Sequence, residues 1–218
     1  TGVQTCALPI SPIVHFGDVP MIVVVNPSLP VKTLADLIAQ ARAAPGKFTY
    51  SSPGRASLGH LVAELVQRTT GAQMNHIPYK GSAPAIVDVL SGAVPLTFDL
   101  AATYYQHAKS GKVRALAVTT AARFPQLPEV PTVAESGVPG FQATGWFGIA
   151  GPVGMPAVAV TMMNRAANDY LTSKEGFARL TELAVRPAGG KPEEFGAFVR
   201  AEIAKWRPVV EPLATSLD

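Results

Sequence analysis

With 218 residues, 48% of them hydrophobic and only 15% charged, the chain has material for one large domain or two small ones with a substantial core. That balance excludes an intrinsically disordered protein, and no uninterrupted apolar run reaches the length of a membrane span. The net charge of +3 is spread over dispersed lysines and arginines, which argues against nucleic-acid binding. The single cysteine, Cys6, excludes an intramolecular disulfide framework, CxxC redox chemistry and thiolate zinc sites.

Residues 1–10 (TGVQTCALPI) show no clear period and carry the only cysteine. They read as translated adapter or vector sequence, and residues 1–11 are set aside as a non-native leader. From Pro12 the pattern is regular. Residues 21–25 are a continuous apolar, mostly β-branched run, the signature of a strand buried on both faces. Thr33 with Asp36 three residues on predicts a capped helix to about Ala43, ended by Pro45 and Gly46. A strand at 48–51 leads into the small-residue turn SSPGRAS and a helix from Ser57 to Thr70, closed by Gly71. A strand at 74–78, a helix capped by Ser82 and ended at Gly92, a strand at 94–98, a helix at 101–110 and a strand at 113–118 follow. This alternation predicts a mostly parallel α/β sheet.

After Thr119 the texture changes. Residues 124–132 form a proline-rich loop, 132–136 a short helix and 141–151 an extended stretch holding Trp146 and Phe147. Helices are expected at 156–171, 174–183 and 192–209, with a short strand at 184–187. This tail has helices but few strands, so it reads as half of a domain whose strands lie elsewhere.

The stretch at 47–66 is the feature most suggestive of chemistry. A strand, a small-residue turn and a helix start aim backbone N–H groups and a positive helix end at one spot, which suits an anion. The same features describe an ordinary capped βα turn, and most such turns bind nothing. The histidines, His15, His60, His76 and His107, show no metal-ligand spacing, and neither a phosphate loop nor a dinucleotide fingerprint occurs. Ser57, His60 and Asp99 supply the residue types of a hydrolase triad, so a serine hydrolase using Ser57 and His60 is an alternative. No G-x-S-x-G elbow supports it, and Ser57 sits where a helix cap is expected.

Several segments, in this order, resemble the Bug family, the extracytoplasmic solute receptors of tripartite tricarboxylate transporters. They are VVNPSLP (24–30), YSSPG (50–54) with GHL (59–61), HIPYKGSAP (76–84), FD (98–99), GKVRALAVT (111–119), LPEVPTVAE (127–135), GWFG (145–148) and PEEF (192–195). The resemblance implies an α/β, type II periplasmic binding-protein-like fold. Residues 12–143 would be a complete second lobe and 144–218 the C-terminal, returning part of the first. The front of the first lobe, with the family's proline- and glycine-rich ligand loop, is expected to be absent, so a fragment with no retained ligand binding is a further alternative.

The resemblance also implies passive capture of a small carboxylate-bearing solute, without cofactor or metal, for delivery to membrane transporter subunits from the periplasm. The ligand residues it implies are Ser51, Ser52, Gly54, Ser57 and His60 in the first loop, Tyr79, Lys80, Gly81 and Ser82 at the second helix start, Asp99 at a strand end, and Trp146. For Ser57 and Ser82 the alternative is simple helix capping, for Asp99 a loop-capping carboxylate, and for Trp146 packing between lobes. Uncovered apolar stripes along the C-terminal helices (Val158, Met162, Met163, Phe177, Leu180, Leu183, Phe195, Phe198, Ile203, Trp206) predict a homodimer or a domain-swapped oligomer.

Overall fold

A computed structural model describes residues 10–214. Nearly all of the leader set aside at 1–11 therefore lies outside the described residues, although the first strand already begins at Ile10. By internal packing the chain divides into two units. One runs from Pro20 to Gly145; the other joins the residues up to Val19 to those from Trp146 on. The long first strand β1 (Ile10–Val25) has its first half in the latter and its second half in the former.

In the 20–145 unit, β2 (Thr49–Ser52), β3 (Asn75–Pro78), β4 (Leu96–Leu100) and β5 (Arg114–Val118) join β1 in the order β3-β2-β4-β1-β5. β2 pairs parallel to both β3 and β4, whereas β1 runs antiparallel to both β4 and β5. The expected common strand direction holds for four of these five strands, and β1 is the exception, a reversed strand in the interior of the sheet. The other four strands all point the same way, which brings the C-terminal ends of β2, β3 and β4 to one edge. The 21–25 run is buried on both faces as its composition predicts, each residue at most 1% exposed. Burying each such side chain contributes about 1.5–3 kcal/mol.

The helices of this unit are α1 (Leu34–Ala43), α2 (Leu58–Thr70), α3 (Ser82–Ser91) and α4 (Ala101–Lys109). Their ends follow local chemistry. Thr33 and Asp36 form a reciprocal capping box. Ser57 caps α2, and Gly71 and Gly92 end α2 and α3 in the left-handed conformation. Ser82 does not cap α3; the cap is Gly81, and no side chain accepts from the first turn. Residues 132–136 form a turn rather than a short helix, held by the reciprocal bonds of Thr132 N–H to Glu135 Oε2 and Glu135 N–H to Thr132 Oγ1.

In the other unit, β6 (Thr144–Pro152) and β7 (Arg186–Gly189) both pair with β1, β7 in antiparallel register. Its helices are α5 (Ala157–Thr172), α6 (Lys174–Glu182) and α7 (Pro192–Ala214). The apolar stripes expected to lack a cover divide into three sets. Leu180 and Phe195 are buried, Phe198 and Trp206 are half-buried, and Val158, Met162, Met163, Phe177, Leu183 and Ile203 are exposed. Among the described residues no helix is long and apolar enough to cross a membrane.

Candidate functional site

The C-terminal ends of parallel strands leave the backbone there to feed loops and helix starts, which makes that edge of an α/β sheet its usual ligand edge. In the 20–145 unit it holds the loop from β2 to α2, the turn from β3 to α3, and Asp99 near the end of β4. The β2–α2 loop is built tightly. A Cβ at Gly59 would lie 2.2 Å from the Phe98 carbonyl oxygen, so only glycine lets the start of α2 sit against β4. Ala56 holds the left-handed conformation at φ +57°, a strained choice for a residue with a Cβ. Its N–H donates to His60 Nδ1 at 3.1 Å.

Ser52 is the hub of the loop. Its fully buried hydroxyl lies 2.7 Å from His76 Nε2, donates to the Gly54 carbonyl at 2.9 Å, and accepts from Gly54 N–H at 3.2 Å and from the Ser57 hydroxyl at 3.4 Å. The His76 ring stacks on His60 with centroids 3.9 Å apart, and on Tyr50 at 5.0 Å. Because Ala56 donates to His60 Nδ1, neutral His60 carries its proton on Nε2, facing Glu64 Oε1 at 3.8 Å. Glu64 Oε1 is already an acceptor for the Tyr50 hydroxyl at 3.0 Å and Gln67 at 2.9 Å. Burial, then the neighbouring His60 and Arg55, depress His76 to about 4. Burial also lowers His60, with Glu64 opposing it and Arg55 adding to it. The loop therefore rests on two stacked, neutral imidazoles at neutral pH.

The second turn is laced to the first. Tyr79 N–H donates to the Ser52 carbonyl at 3.1 Å and Gly81 N–H to the Pro53 carbonyl at 2.8 Å. A Cβ at Gly54 would meet the Tyr79 carbonyl at 3.2 Å. Gly81 takes φ +103°, a conformation that side chains rarely adopt, and so turns the chain directly into α3. The two helix starts differ. In the first loop the N–H groups of Gly54, Ala56, Ser57 and His60 are all bonded within the loop. The first turn of α3 has no side-chain cap, so the N–H groups of Ser82, Ala83 and Ala85 lack a capping side chain, and the helix dipole begins beside the exposed Lys80. Of the two helix starts, the uncapped one of α3 favours an anion more, and the serine loop is hydrogen-bonded to the turn that leads into it. The Tyr79 hydroxyl makes a short hydrogen bond to Asp88, and burial together with that carboxylate pushes it up to about 12.

Asp99 is 1% exposed, and its Oδ1 accepts the Leu100 N–H at 2.7 Å. Burial raises its pKa, against the opposing pull of the Ser82 hydroxyl and the Leu100 N–H.

Of the residues predicted from sequence, Ser51, Ser52, Gly54, Ser57, His60, Tyr79, Lys80, Gly81, Ser82 and Asp99 lie along this one sheet edge. Ser51 is fully buried, with its hydroxyl turned 3.5 Å from the Leu96 carbonyl of β4. Trp146 belongs to the other unit, where it stands edge-on to His15, Phe195 and Phe198. The hydrolase alternative is corrected. Ser57 Oγ accepts the His60 backbone N–H as a helix cap, and the His60 ring is engaged by Ala56 rather than by Ser57. The serine and histidine that do meet are Ser52 and His76, both built into the loop scaffold, and a ring held near 4 is a weak general base at neutral pH. His76 and Arg55 were missed as site residues. The first reveals itself only when β3 pairs with β2, and the second only through its effect on both histidines. Among the described residues no group of three or more His, Cys, Asp or Glu side chains is placed to hold a metal ion.

The fold is that of solved α/β periplasmic binding proteins. A Rhodopseudomonas palustris protein solved with adipate superposes with a TM-score of 0.85 at 38% identity, over 98% of this chain and 72% of that one. The periplasmic binding protein BugD matches at 0.79 and 29% identity, over 94% and 69%. MatC of Rhodopseudomonas palustris, with bound malate, matches at 0.81 and 25% identity, over 96% and 74%. The sequence model of the tripartite tricarboxylate transporter family receptor matches residues 6–215, and the chain belongs to that family. Among curated relatives, protein BugT of Bordetella pertussis is 37% identical over 94% of this chain and 63% of its own length. A UPF0065 protein of Pseudomonas sp. strain P51 is 33% identical over 91% and 60%. The chain thus spans about six tenths of the length of these curated relatives.

Proposed function

We propose that this chain is the solute-capturing part of a periplasmic receptor, and that it takes a small carboxylate at the start of α3. The 20–145 unit is read as the second lobe and the segment from 146 on as the returning part of the first. The observation that carries the reading is the uncapped first turn of α3, laced to a serine- and glycine-lined loop at the ligand edge of the sheet. Each helix start contributes about 0.3–1 kcal/mol toward an exposed anion, and more where water is excluded. Two related structures hold adipate and malate, both carboxylates. Captured solute would pass to membrane transporter subunits. Gly54, Ser57 and Ser82 line the spot, Lys80 supplies charge at its mouth, and Ser52, His60, Tyr79 and Gly81 hold its shape.

A thermal-shift screen of mono- and dicarboxylates tests this. Carboxylates should raise the melting temperature, and the rise should vanish in Ala83→Glu. That substitution places a carboxylate of the protein at an exposed position in the first turn of α3. It favours the helix itself, so lost binding with retained stability identifies the site. Equal shifts in both proteins would overturn the assignment. The exposed apolar side chains of α5, α6 and α7 further support association between copies. Light scattering over micromolar concentrations should show mass rising with concentration, and a constant monomer mass would overturn that part.

A further inference from the structure

The turn that leads into α3 is tied on two sides. Toward the β2–α2 loop the ties are backbone bonds, Tyr79 N–H to the Ser52 carbonyl at 3.1 Å and Gly81 N–H to the Pro53 carbonyl at 2.8 Å. Toward the helix the tie is a side chain: the Tyr79 hydroxyl donates a short hydrogen bond to Asp88 Oδ2. Asp88 lies in the second turn of α3, about 9 Å along the axis from Ser82. The Tyr79 side chain therefore reaches along the helix as a strut. Burial together with that carboxylate pushes the phenol up to about 12, so the bond is intact at neutral pH. The body of α3 is fixed independently. Ala85 and Val89 are buried, and the Asn26 side-chain amide donates to the carbonyls of Val89 at 2.9 Å and Leu90 at 3.0 Å. Loss of the strut would free the turn and leave the helix in place.

We infer that Asp88 is a positioning residue for solute capture: through the Tyr79 hydroxyl it holds the turn from Tyr79 to Gly81 in the shape that opens the start of α3 to a carboxylate. This rests on the functional reading above. Gly81, at φ +103°, turns the chain into the helix, and glycine leaves the backbone freer there than any other residue would. Such a turn keeps one shape only if its neighbours impose it, and the strut imposes it from the helix side. Asp88 acts through Tyr79 and not on the solute itself. Its carboxylate carries the solute's own charge, which disfavours direct contact, and its Oδ2 is taken by the phenol. A turn held in its binding shape beforehand gives up less freedom when the solute arrives, and so binds more tightly.

Calorimetric titration with adipate and malate tests this in wild type, Asp88→Ala, Asp88→Asn, Tyr79→Phe and the double variant of Asp88→Ala with Tyr79→Phe. Asp88→Ala and Tyr79→Phe should each weaken binding at least about fivefold. The double variant should bind no more weakly than the weaker single one, because both changes remove the same bond. Asp88→Asn keeps an oxygen for the phenol and should stay within about twofold of wild type. Losses that multiply in the double variant, Asp88→Asn as weak as Asp88→Ala, or wild-type affinity in Asp88→Ala overturn the inference and leave the carboxylate reading intact. Tyr79→Phe gives up one hydroxyl and keeps the ring, so wild-type affinity in that variant overturns the inference even if Asp88→Ala fails to fold. Folded wild type that binds neither acid overturns the carboxylate reading, and the inference falls with it.

Discussion

Ser52 Oγ and His76 Nε2 lie 2.7 Å apart, and this contact ties the serine loop to the neighbouring strand. It matters because Ser52 is also bonded to both segments that lead into the helix starts. Ser52 also bonds Gly54 and Ser57 through its hydroxyl, and its carbonyl accepts the Tyr79 N–H. Ser52→Ala should leave the His76 nitrogen and the Gly54 N–H unsatisfied and cost about 1–3 kcal/mol of stability. Urea unfolding measures the loss, and titration of the folded variant should show weakened carboxylate binding.

The stacked histidines predict a pH dependence with a definite sign. His76 titrates near 6.5 when unfolded and near 4 when folded, and the folded pKa of His60 is also lowered. Between those values the unfolded chain binds more protons, so this contribution to stability is present above about 6.5 and is lost as pH falls toward 4. Asp99, with its raised pKa, acts in the opposite sense at the acid end. Urea midpoints at pH 7, 6, 5 and 4 should fall in order, and His76→Gln should flatten the slope. A profile unchanged by His76→Gln would contradict the assignment of the slope to this ring.

Gly59 and Phe98 set the distance between α2 and β4. With a Cβ placed 2.2 Å from a carbonyl oxygen, Gly59→Ala forces backbone movement rather than a rotamer change. The expected loss is about 1–3 kcal/mol, the range for overpacking a tight site. Crystallography of the variant should show the start of α2 displaced from the sheet.

Ala56 is strained at φ +57°, so Ala56→Gly should be stabilising by about 0.5–1 kcal/mol, the part of the left-handed penalty that survives glycine's entropy cost. A destabilisation beyond 1 kcal/mol would show that the Ala56 methyl has a packing role.

Much of this was legible in the sequence wherever the cause is local. Ser57, the Thr33–Asp36 box, Gly71 and Gly92 each mark a helix end by their own chemistry, and each helix ends there. The 21–25 run announces a doubly buried strand. What failed is set by pairing across the chain. Nothing in that run encodes its antiparallel direction, because buried parallel and antiparallel strands share one composition. Pro12, Gly17 and Pro20 hid the first half of β1, since proline and glycine ordinarily weaken a strand. Ser82 has the chemistry of a cap, but Gly81, bonded to Pro53, turns the chain one residue earlier and takes that place. His76 is one polar residue in a four-residue strand and gains its role only from Ser52 and His60 across the sheet.

The central claim is carboxylate capture at the start of α3. Isothermal titration of the folded chain with adipate and with malate, in wild type and Ala83→Glu, tests it most directly. Saturable one-to-one binding of at least one acid by wild type, lost in a variant that melts no lower, is the predicted result. Binding that survives Ala83→Glu, or no binding of either acid by folded wild-type chain, would contradict it.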